Sequence, residues 1–309
     1  MTLNSTPAPV RRQSVAPTSR TAQQPDLITA FEPEVRVWCP QEFGGLELWR
    51  LGGASIDLPE HVHEAYHIAV TTPASGPAEV VYQRETFELR PGQVLLCGPG
   101  SVFSVRSASP RGLSAAAFNI QPSRVKALLK SPADPPELGG PFLPEATNRR
   151  IKTRLLNAFA AFERENSVLE RDAALSALIR AVLEPYAAER PPKHSGREHR
   201  AVKTIKAHLR NHPEYPHRLA DLAQLTGLSS CYLLEVFKRD VGVSIGTYLA
   251  YQRVAGAKRL LLEGLSISEV ALCVGFTDQS HLTRIFKRFT QTTPGRFQRD
   301  SLVSSSLMS

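Results

Sequence analysis

The chain has 309 residues, is 42% hydrophobic and carries a formal net charge of +8. This length allows two domains and a linker, with a sizeable core. The four cysteines include no CxxC pair, so the sequence predicts neither a disulfide framework nor a zinc site, and reduced thiols are expected. Because no stretch approaches the roughly 18 apolar residues of a membrane span, we expect a cytoplasmic protein without membrane contact.

Residues 1–28 form a segment rich in Pro, Ser, Thr and Gln, with no acidic residue before Asp26. Such a composition buries too little apolar surface to offset the entropy of ordering. We therefore expect a disordered tail. Its three arginines leave a weak DNA-binding arm as the alternative.

Residues 29–130 carry short strand-like runs that are separated by Gly and Pro. The clearest runs are 46–51, 67–70, 79–82 and 94–97. This spacing is typical of an all-β barrel or sandwich, and no helical period of useful length interrupts it. The region predicts one small β domain.

Residues 146–189 change to a helical period, with one apolar stripe beginning at Ile151 and a second at Leu175. Two such helices make a hairpin whose apolar face must be covered. The cover is either the β domain or the same hairpin of a second subunit. Residues 190–197 contain two prolines and no period, which predicts a linker.

The last third of the chain contains one pattern written twice. The two copies are residues 219–223, Gly227 and 237–239, and then 267–271, Gly275 and 286–288. Each copy combines a short helix, a turn with Gly and a second helix ending in Lys-Arg, which predicts two helix-turn-helix units. Residues 198–300 carry 15 Lys/Arg against 9 Asp/Glu, as expected of a nucleic-acid-binding domain.

The second helix of each unit is the expected reader of DNA, because a major groove admits one α-helix. We expect Ser230 to cap the first of these helices and Asp278 the second. The outward residues predicted to face base edges are Ser230, Cys231, Glu235, Gln279, Ser280, Thr283 and Arg284. The residues predicted to contact phosphates are Lys238, Arg239, Lys287, Arg288 and Arg296.

Glu235 stands in the first copy where Arg284 stands in the second. Arg284 suits a bidentate contact with guanine and Gln279 suits one with adenine, whereas the Glu235 carboxylate can only accept, for example from cytosine. An intramolecular pair of Glu235 with Lys238 or Arg239 is an equally good interpretation.

Residues 244–262, between the two units, predict one helix of about 19 residues, hence roughly 28 Å long. Two recognition helices held that far apart fit successive major grooves on one DNA face, which are roughly 34 Å apart. A single chain would then read about two turns of duplex, as direct rather than palindromic elements.

This part of the chain resembles the AraC/XylS family of bacterial transcriptional regulators. The residues that carry the resemblance are 232–238, Gly242, Ser244, 248–249, Arg253, Ala257, 260–261, Ile267, 269–271, 274–276, 278–282, Arg284, 286–287 and 293–294. The resemblance implies a seven-helix domain with two helix-turn-helix units, promoter binding and, usually, activation through contact with RNA polymerase. The family commonly has Arg at the position of Glu235 and Gly at that of Gln291, which bears on base preference and on capping of the last recognition helix.

Residues 59–67 and 89–96 resemble the small cupin-like barrel that many members of this family carry as an effector domain, whose mouth can hold one small ligand. The residues assigned to this effector pocket are Trp49, His61, His63, Tyr66, His67, Tyr82 and Phe103. Metal-binding cupins usually add a Glu and a later His, and Phe103 stands where that His is expected. No metal and no other cofactor is therefore predicted.

The whole sequence thus predicts an α+β protein with an N-terminal cupin-like β-barrel, a helical hairpin and an all-α C-terminal domain with two helix-turn-helix units. The predicted function is that of a small-molecule-responsive transcriptional activator, homodimeric and not an enzyme, that binds promoter DNA and RNA polymerase. One alternative is a metal-dependent cupin enzyme fused to a DNA-binding module. Another is an alkyl-transfer repair protein, which would need a reactive thiolate cluster that four scattered cysteines do not offer.

Overall fold

The structure is a computed structural model, and the described residues are 34–129, 138, 140–164, 166–186 and 197–306. The tail predicted at 1–28 and residues 190–196 of the predicted linker lie outside these ranges. Within them, no helix is long and apolar enough to span a bilayer.

Residues 34–120 form the predicted β domain as two antiparallel sheets. The strands are β1 (Glu34–Trp38), β2 (Leu46–Ala54), β3 (Asp57–Val62), β4 (Tyr66–Thr71), β5 (Ala78–Tyr82), β6 (Glu85–Leu89), β7 (Val94–Cys97), β8 (Val102–Ser107) and β9 (Leu113–Ile120). The strand order is β1-β2-β9-β4-β7 in the five-stranded sheet and β3-β8-β5-β6 in the four-stranded sheet. The two sheets enclose a shared apolar interior. We call the two sheets together the barrel.

The five-stranded sheet is buried on both faces, because successive side chains along a strand point to opposite sides. In β2, Trp49 lies in the apolar cluster inside the barrel, whereas its neighbour Leu48 lies in the cluster on the outer face. In β4, Ala69 and Ile68 divide in the same way. The outer face of this sheet therefore needs a second layer.

The helical hairpin supplies that layer. It follows a short helix, α1 (Pro122–Leu129), and consists of α2 (Glu145–Glu163) and α3 (Val168–Leu183). Phe159 of α2 packs edge-on against Phe118 of β9 at 5.7 Å between ring centres, and Phe162 packs on Phe43 at 4.9 Å. Of the two predicted covers for the apolar face of the hairpin, the structure thus has the β domain of the same chain.

Residues 197–306 form seven helices, as the family resemblance implied. They are α4 (Arg197–Asn211), α5 (Leu219–Thr226), α6 (Ser230–Val241), α7 (Ile245–Leu262), α8 (Ile267–Cys273), α9 (Gln279–Thr290) and α10 (Pro294–Ser306). The first helix-turn-helix unit is α5 with α6, and the second is α8 with α9. The continuous helix predicted between them is α7.

Side-chain caps explain where the helices of the repeat begin. Asp278 accepts a hydrogen bond from the backbone N–H of His281, so the predicted cap of α9 is confirmed. The predicted cap of α6 at Ser230 was wrong by one residue. Ser229 is extended and accepts from the N–H of Tyr232, while Ser230 is already in the first turn. Two adjacent serines are equally good caps by composition, so only the backbone geometry separates them.

The DNA-binding domain packs directly on the barrel. The apolar cluster inside the barrel continues without a break into α7, α8, α9 and α10 of the second unit. The first unit has its own cluster, which Val62 of β3 joins from the barrel side. Hydrogen bonds also join the two domains, among them one of 2.8 Å from the Tyr248 hydroxyl to the Glu64 carboxylate.

Candidate DNA-binding surface and effector cavity

The first recognition helix, α6, buries Leu233, Val236 and Phe237 against its own unit and leaves the opposite face in solvent. Among the residues predicted to read bases, Cys231 and Glu235 are exposed and Ser230 is half-buried. They lie on one face because residues three or four apart are neighbours on a helix. The solvent side of α6 thus carries the residues that the sequence predicts to face base edges.

The second recognition helix, α9, has the same construction with a more cationic face. It buries Leu282, Phe286 and Phe289. Three of the predicted base readers on it, Gln279, Ser280 and Arg284, are exposed, and the fourth, Thr283, is half-buried. The Gln279 side-chain oxygen accepts a hydrogen bond of 2.8 Å from the Ser268 hydroxyl, which leaves its amide NH₂ to donate.

The five predicted phosphate contacts divide into two groups. Lys238, Lys287 and Arg288 are exposed, and they make no ion pair among the described residues. Arg239 is held by Glu198 at 2.7 Å and by Asp240 at 2.9 Å, and Arg296 is paired with Glu34. Partnered guanidiniums would have to exchange a carboxylate for a phosphate, so these two are the weaker candidates.

Glu235 makes no ion pair with any residue that the structure describes. Of its two expected partners, Arg239 is turned to Glu198 and Asp240 instead, and Lys238 is exposed. The intramolecular pairing that was an equally good interpretation of Glu235 is therefore not present. Its carboxylate lies on the exposed face of α6.

Gln291 ends α9 in a left-handed conformation with φ of 57°, the conformation for which the family commonly uses Gly. The backbone N–H still closes the helix onto the Lys287 carbonyl. The side-chain amide donates to the Arg288 carbonyl at 3.2 Å and to the Asp57 carbonyl of β3 at 3.3 Å. A side chain at this position thus ties α9 to the barrel, which glycine could not do.

A cavity of about 70 Å³ lies inside the barrel, between the two sheets and the second unit. Five of the seven residues assigned to the effector pocket line it: Trp49, His61, His63, His67 and Phe103. Most of the other lining residues are aliphatic, among them Ile56, Leu89, Leu95 and Val105. A cavity thus lies where the sequence predicts the effector pocket, and its wall is mainly apolar.

Two of the pocket assignments were wrong. Tyr66 lies in the cluster on the outer face of the five-stranded sheet, because its position in β4 has the parity of Ile68 and not that of His67. Tyr82 is buried inside the barrel but away from the cavity, with its hydroxyl 3.1 Å from the Ser101 hydroxyl.

The three histidines form a row of tilted, closely packed rings inside the barrel. Ring centres are 4.9 Å apart for His61 and His63 and 5.0 Å apart for His63 and His67, and the Phe103 ring lies within 5.5 Å of all three. Burial lowers the pKa of each imidazole, in the case of His61 to about 4, so the row is neutral at physiological pH. The Nε2 atom of His63 is buried and has no hydrogen-bond partner among the described residues.

A polar group that the sequence did not reveal adjoins the cavity, with Asn119 and Lys258 in the cavity wall. The half-buried Glu47 carboxylate accepts a hydrogen bond of 2.6 Å from Lys258 of α7 and one of 2.9 Å from the Asn119 amide. Asn119 in turn is bonded to His67 Nδ1 at 2.7 Å. Lys258 lowers the pKa of Glu47 against the opposing effect of burial, which is the larger single influence.

A larger cleft of about 620 Å³ adjoins the cavity on the side of α7. Four residues line both spaces: Asn119, Tyr251, Lys258 and Phe289. Three of these belong to the DNA-binding domain, so a ligand in either space would touch both domains. The helical period indicates that Tyr251 and Phe289 point inward from their helices. It does not indicate which part of the molecule they face.

An apolar cavity in a β-barrel, packed on two helix-turn-helix units with exposed recognition helices, defines the class of effector-responsive DNA-binding regulators. Residues 43–183 match the family model of the AraC-like ligand binding domain, and residues 222–300 match that of a helix-turn-helix domain. The chain belongs to the AraC family of transcriptional regulators, as the sequence resemblance predicted.

Two curated relatives are named as a transcriptional regulator and a probable transcription factor. The chain is 25% identical over 239 residues to the uncharacterized HTH-type transcriptional regulator YbfI of Bacillus subtilis, a match that covers 77% of this chain and 86% of YbfI. It is 34% identical over 87 residues to the probable transcription factor PqrA of Proteus vulgaris, which covers 28% of this chain and 71% of PqrA.

The fold also has a counterpart among solved structures. ToxT from Vibrio cholerae O395 superposes with a TM-score of 0.53 at 15% identity, over 82% of this chain and 96% of ToxT. The predicted α+β architecture, with a β domain followed by a helical DNA-binding domain, is confirmed.

Proposed function

We propose that this regulator activates transcription by placing α6 and α9 in successive major grooves of promoter DNA, under the control of a small molecule bound in the barrel. The observation that carries the proposal is the apolar cluster that runs from the cavity into the second unit. Because interior packing is dense, a ligand that changes the cavity changes the side chains under α9 as well.

The length of the helix that joins the two units supports contact with two grooves. The helix between them, α7, has 18 residues, which corresponds to about 27 Å. Successive major grooves on one face of B-DNA are roughly 34 Å apart. One chain then covers two elements in direct orientation.

The cavity wall indicates the chemistry of the effector. Aliphatic and aromatic side chains favour an apolar body, and the neutral imidazole of His63, with its unpartnered Nε2, favours one polar group near the row of histidines. One ToxT structure is of the protein bound to an unsaturated fatty acid. We propose for this chain an amphiphile that extends from the cavity into the cleft beside Lys258.

Selection from randomised duplex DNA tests the reading of two grooves. We expect the full-length protein to enrich two elements one helical turn apart, and Glu235→Ala to lose the preference in the element that α6 reads. Enrichment of one element that Glu235→Ala leaves unchanged would mean that α9 alone reads sequence. Repetition with a fatty-acid mixture separates a failure to bind DNA from a need for effector.

Activation by contact with RNA polymerase, in the cytoplasm, completes the proposal. In vitro transcription from the selected sites decides the sign, since a repressor would lower the yield of transcript. Homodimerisation is proposed on the exposed apolar residues Val168 and Leu169 at the start of α3, because the barrel covers the main apolar face of the hairpin. Light scattering that gives the mass of one chain at micromolar concentration would contradict it.

The second candidate is a metal-dependent cupin enzyme, and we propose a regulator without enzymatic activity instead. The Phe103 ring packs on His61 and His63 at 5.0 and 4.6 Å, where an open coordination position would be needed. Among the described residues, no group of three or more His, Cys, Asp or Glu is arranged to hold a metal. Elemental analysis that finds stoichiometric iron, zinc or manganese would overturn this choice.

A further inference from the structure

Three arginines meet in a pocket that is separate from the effector cavity. This pocket, of about 240 Å³, lies between the outer face of the five-stranded sheet and the turn of the hairpin, and we call it the arginine pocket. It is lined by Arg36, Trp38, Pro40, Arg50, Phe162, Glu163 and Arg171.

Two of its arginines are like charges placed side by side. Arg36 of β1 is the direct cross-strand partner of Arg50 of β2, a relation that destabilises a sheet when both residues carry the same charge. Arg50 is neutralised by Glu163 at 2.9 Å. Arg36 makes no ion pair within the described part of the chain, and its guanidinium stacks 4.7 Å from the centre of the Trp38 ring.

The third arginine, Arg171 of α3, is 5% exposed. Among the described residues it makes one ion pair, a loose one with 3.5 Å between Arg171 Nη2 and Glu42 Oε1. Its Nε has no hydrogen-bond partner among the described residues. A buried guanidinium with an unmet donor is costly, and an acceptor in the pocket would remove that cost.

We propose that the arginine pocket binds a phosphate-type oxyanion, either inorganic phosphate or the phosphoryl group of a small metabolite. Three guanidiniums face the two carboxylates of Glu42 and Glu163, which leaves an excess of one positive charge. A tetrahedral oxyanion presents oxygens to several guanidinium forks at once. The bound anion bridges Arg36 and Arg50 of the sheet to Arg171 of α3, and so clamps the hairpin to the barrel.

Glu163 couples this site to pH. Burial raises the pKa of its carboxyl in spite of the neighbouring Arg50, Arg36 and Arg164. An incoming anion repels the Glu163 carboxylate and favours its protonated form, so anion binding should tighten as the pH falls. Other charged groups near the pocket are Arg171, Glu42 and, close to Arg36, Asp300.

Thermal unfolding of the full chain in a phosphate-free chloride buffer, with sodium phosphate added at constant ionic strength, tests the site. We expect a saturable rise in the melting temperature that chloride does not give. Arg36→Gln should weaken the apparent affinity on the order of tenfold, the effect of one charge-assisted hydrogen bond. Arg106→Gln, at an exposed arginine of β8, is the matched control and should bind as the wild type does.

Further arms distinguish the outcomes. Glycerol 2-phosphate that binds more tightly than inorganic phosphate identifies a phosphorylated metabolite, and the reverse identifies the free ion. Sulfate, whose charge is constant between pH 6 and pH 8, isolates the titration of Glu163 and should bind more tightly at pH 6. Arg36→Lys keeps the charge without the fork and should bind with intermediate affinity.

Absence of saturable stabilisation by phosphate and sulfate overturns the proposal. So does stabilisation that survives Arg36→Gln, or that is lost instead in Lys287→Ala, since the anion would then lie on the DNA-binding surface. Circular dichroism of each variant confirms that it is folded.

Discussion

The two helix-turn-helix units are copies of one sequence pattern, yet they are joined to the effector domain in different ways. Phe286 and Phe289 of the second unit share one apolar cluster with Phe103 inside the barrel. The first unit has its own cluster, into which the barrel sends Val62, with Val102 at the margin. The second unit thus shares a hydrophobic core with the effector domain, whereas the first unit has a separate core that only touches this domain.

The attachment of the first unit is largely polar. Arg84, in the turn between β5 and β6, donates to the Arg239 carbonyl at 2.9 Å and to the Lys238 carbonyl at 3.4 Å at the end of α6. Exposed polar contacts of this kind are weak compared with a shared core. We therefore expect a change in the cavity to be felt first at α9.

The largest effect is expected from Phe286→Ala. The side chain is fully buried in the shared cluster, so its loss should lower the free energy of unfolding by about 3–5 kcal/mol. Phe237→Ala removes the equivalent side chain of the first unit and is the matched control. Both tryptophans lie in the barrel, so their fluorescence in urea should report earlier unfolding for Phe286→Ala and little change for Phe237→Ala. Equal shifts would contradict the comparison.

The next largest effect is expected from a fall in pH, which should lower the free energy of unfolding through His61. The His61 ring centre lies 5.6 Å from that of Tyr251 and 6.1 Å from that of Phe289. Burial lowers its pKa to about 4, whereas the unfolded chain titrates near 6.5. Stability from this group is therefore complete above about pH 6.5 and falls by about 3 kcal/mol as the pH drops towards 4.

His61→Phe should flatten that part of the stability profile, measured by urea unfolding at a series of pH values. Hydrogen exchange measured at pH 5 should show that the backbone amides of α9 lose protection before those of α6. An unchanged profile in the variant, or prior loosening of α6, would show that the histidine row does not support the second unit.

Base reading should differ between the units. Arg284→Ala is expected to weaken specific binding by about 1–3 kcal/mol and to relax preference at one base pair. Glu235→Ala, at the equivalent position, removes an acceptor that also repels phosphate and should weaken binding less. Competition assays on single-base operator variants measure both. A loss for Arg284→Ala that is equal on all sequences would make Arg284 a phosphate contact.

Phosphate contacts should have a smaller, uniform effect. Lys287→Ala in the second unit and Lys238→Ala in the first should each lower affinity for every sequence and reduce the salt slope by about one. Fluorescence anisotropy across a salt series gives both slopes. A slope that Lys238→Ala leaves unchanged would mean that α6 lies off the backbone.

The smallest effect is expected from removal of residues 1–25. Folding and DNA affinity should stay nearly unchanged, because the segment has too little apolar surface to pack. Titration of the selected operator with the shortened and full-length chains provides the measurement. A clear loss of affinity would identify the segment as a basic arm.

The repeat was sufficient to predict the four helices of the two helix-turn-helix units, α5, α6, α8 and α9. Local signals decide such features: Asp278 caps α9 because its carboxylate can reach the third N–H of the helix, whatever lies further away. The exposed positions of Arg284 and Lys287 follow from the helical period in the same way.

The effector cavity was predicted only in part, because its wall comes from two domains. Tyr251, Lys258 and Phe289 reach it from α7 and α9, and no periodicity in one helix reveals the barrel on its other side. Tyr66 was misplaced because a shift of one residue along a strand exchanges its two faces. The pairing of Arg36 with Arg50 depends on the register between β1 and β2, which cannot be read from the sequence of either strand alone.

The length of α7 has a consequence for how such a chain can diverge. One inserted residue would move α9 by only about 1.5 Å along the axis but turn it by about 100°. Three base pairs inserted between the two DNA elements would turn the second element by about the same angle. They would also move it about 10 Å further along the duplex. No change of operator spacing compensates for both, so insertions and deletions should be excluded from 245–262, while substitutions on its surface are tolerated.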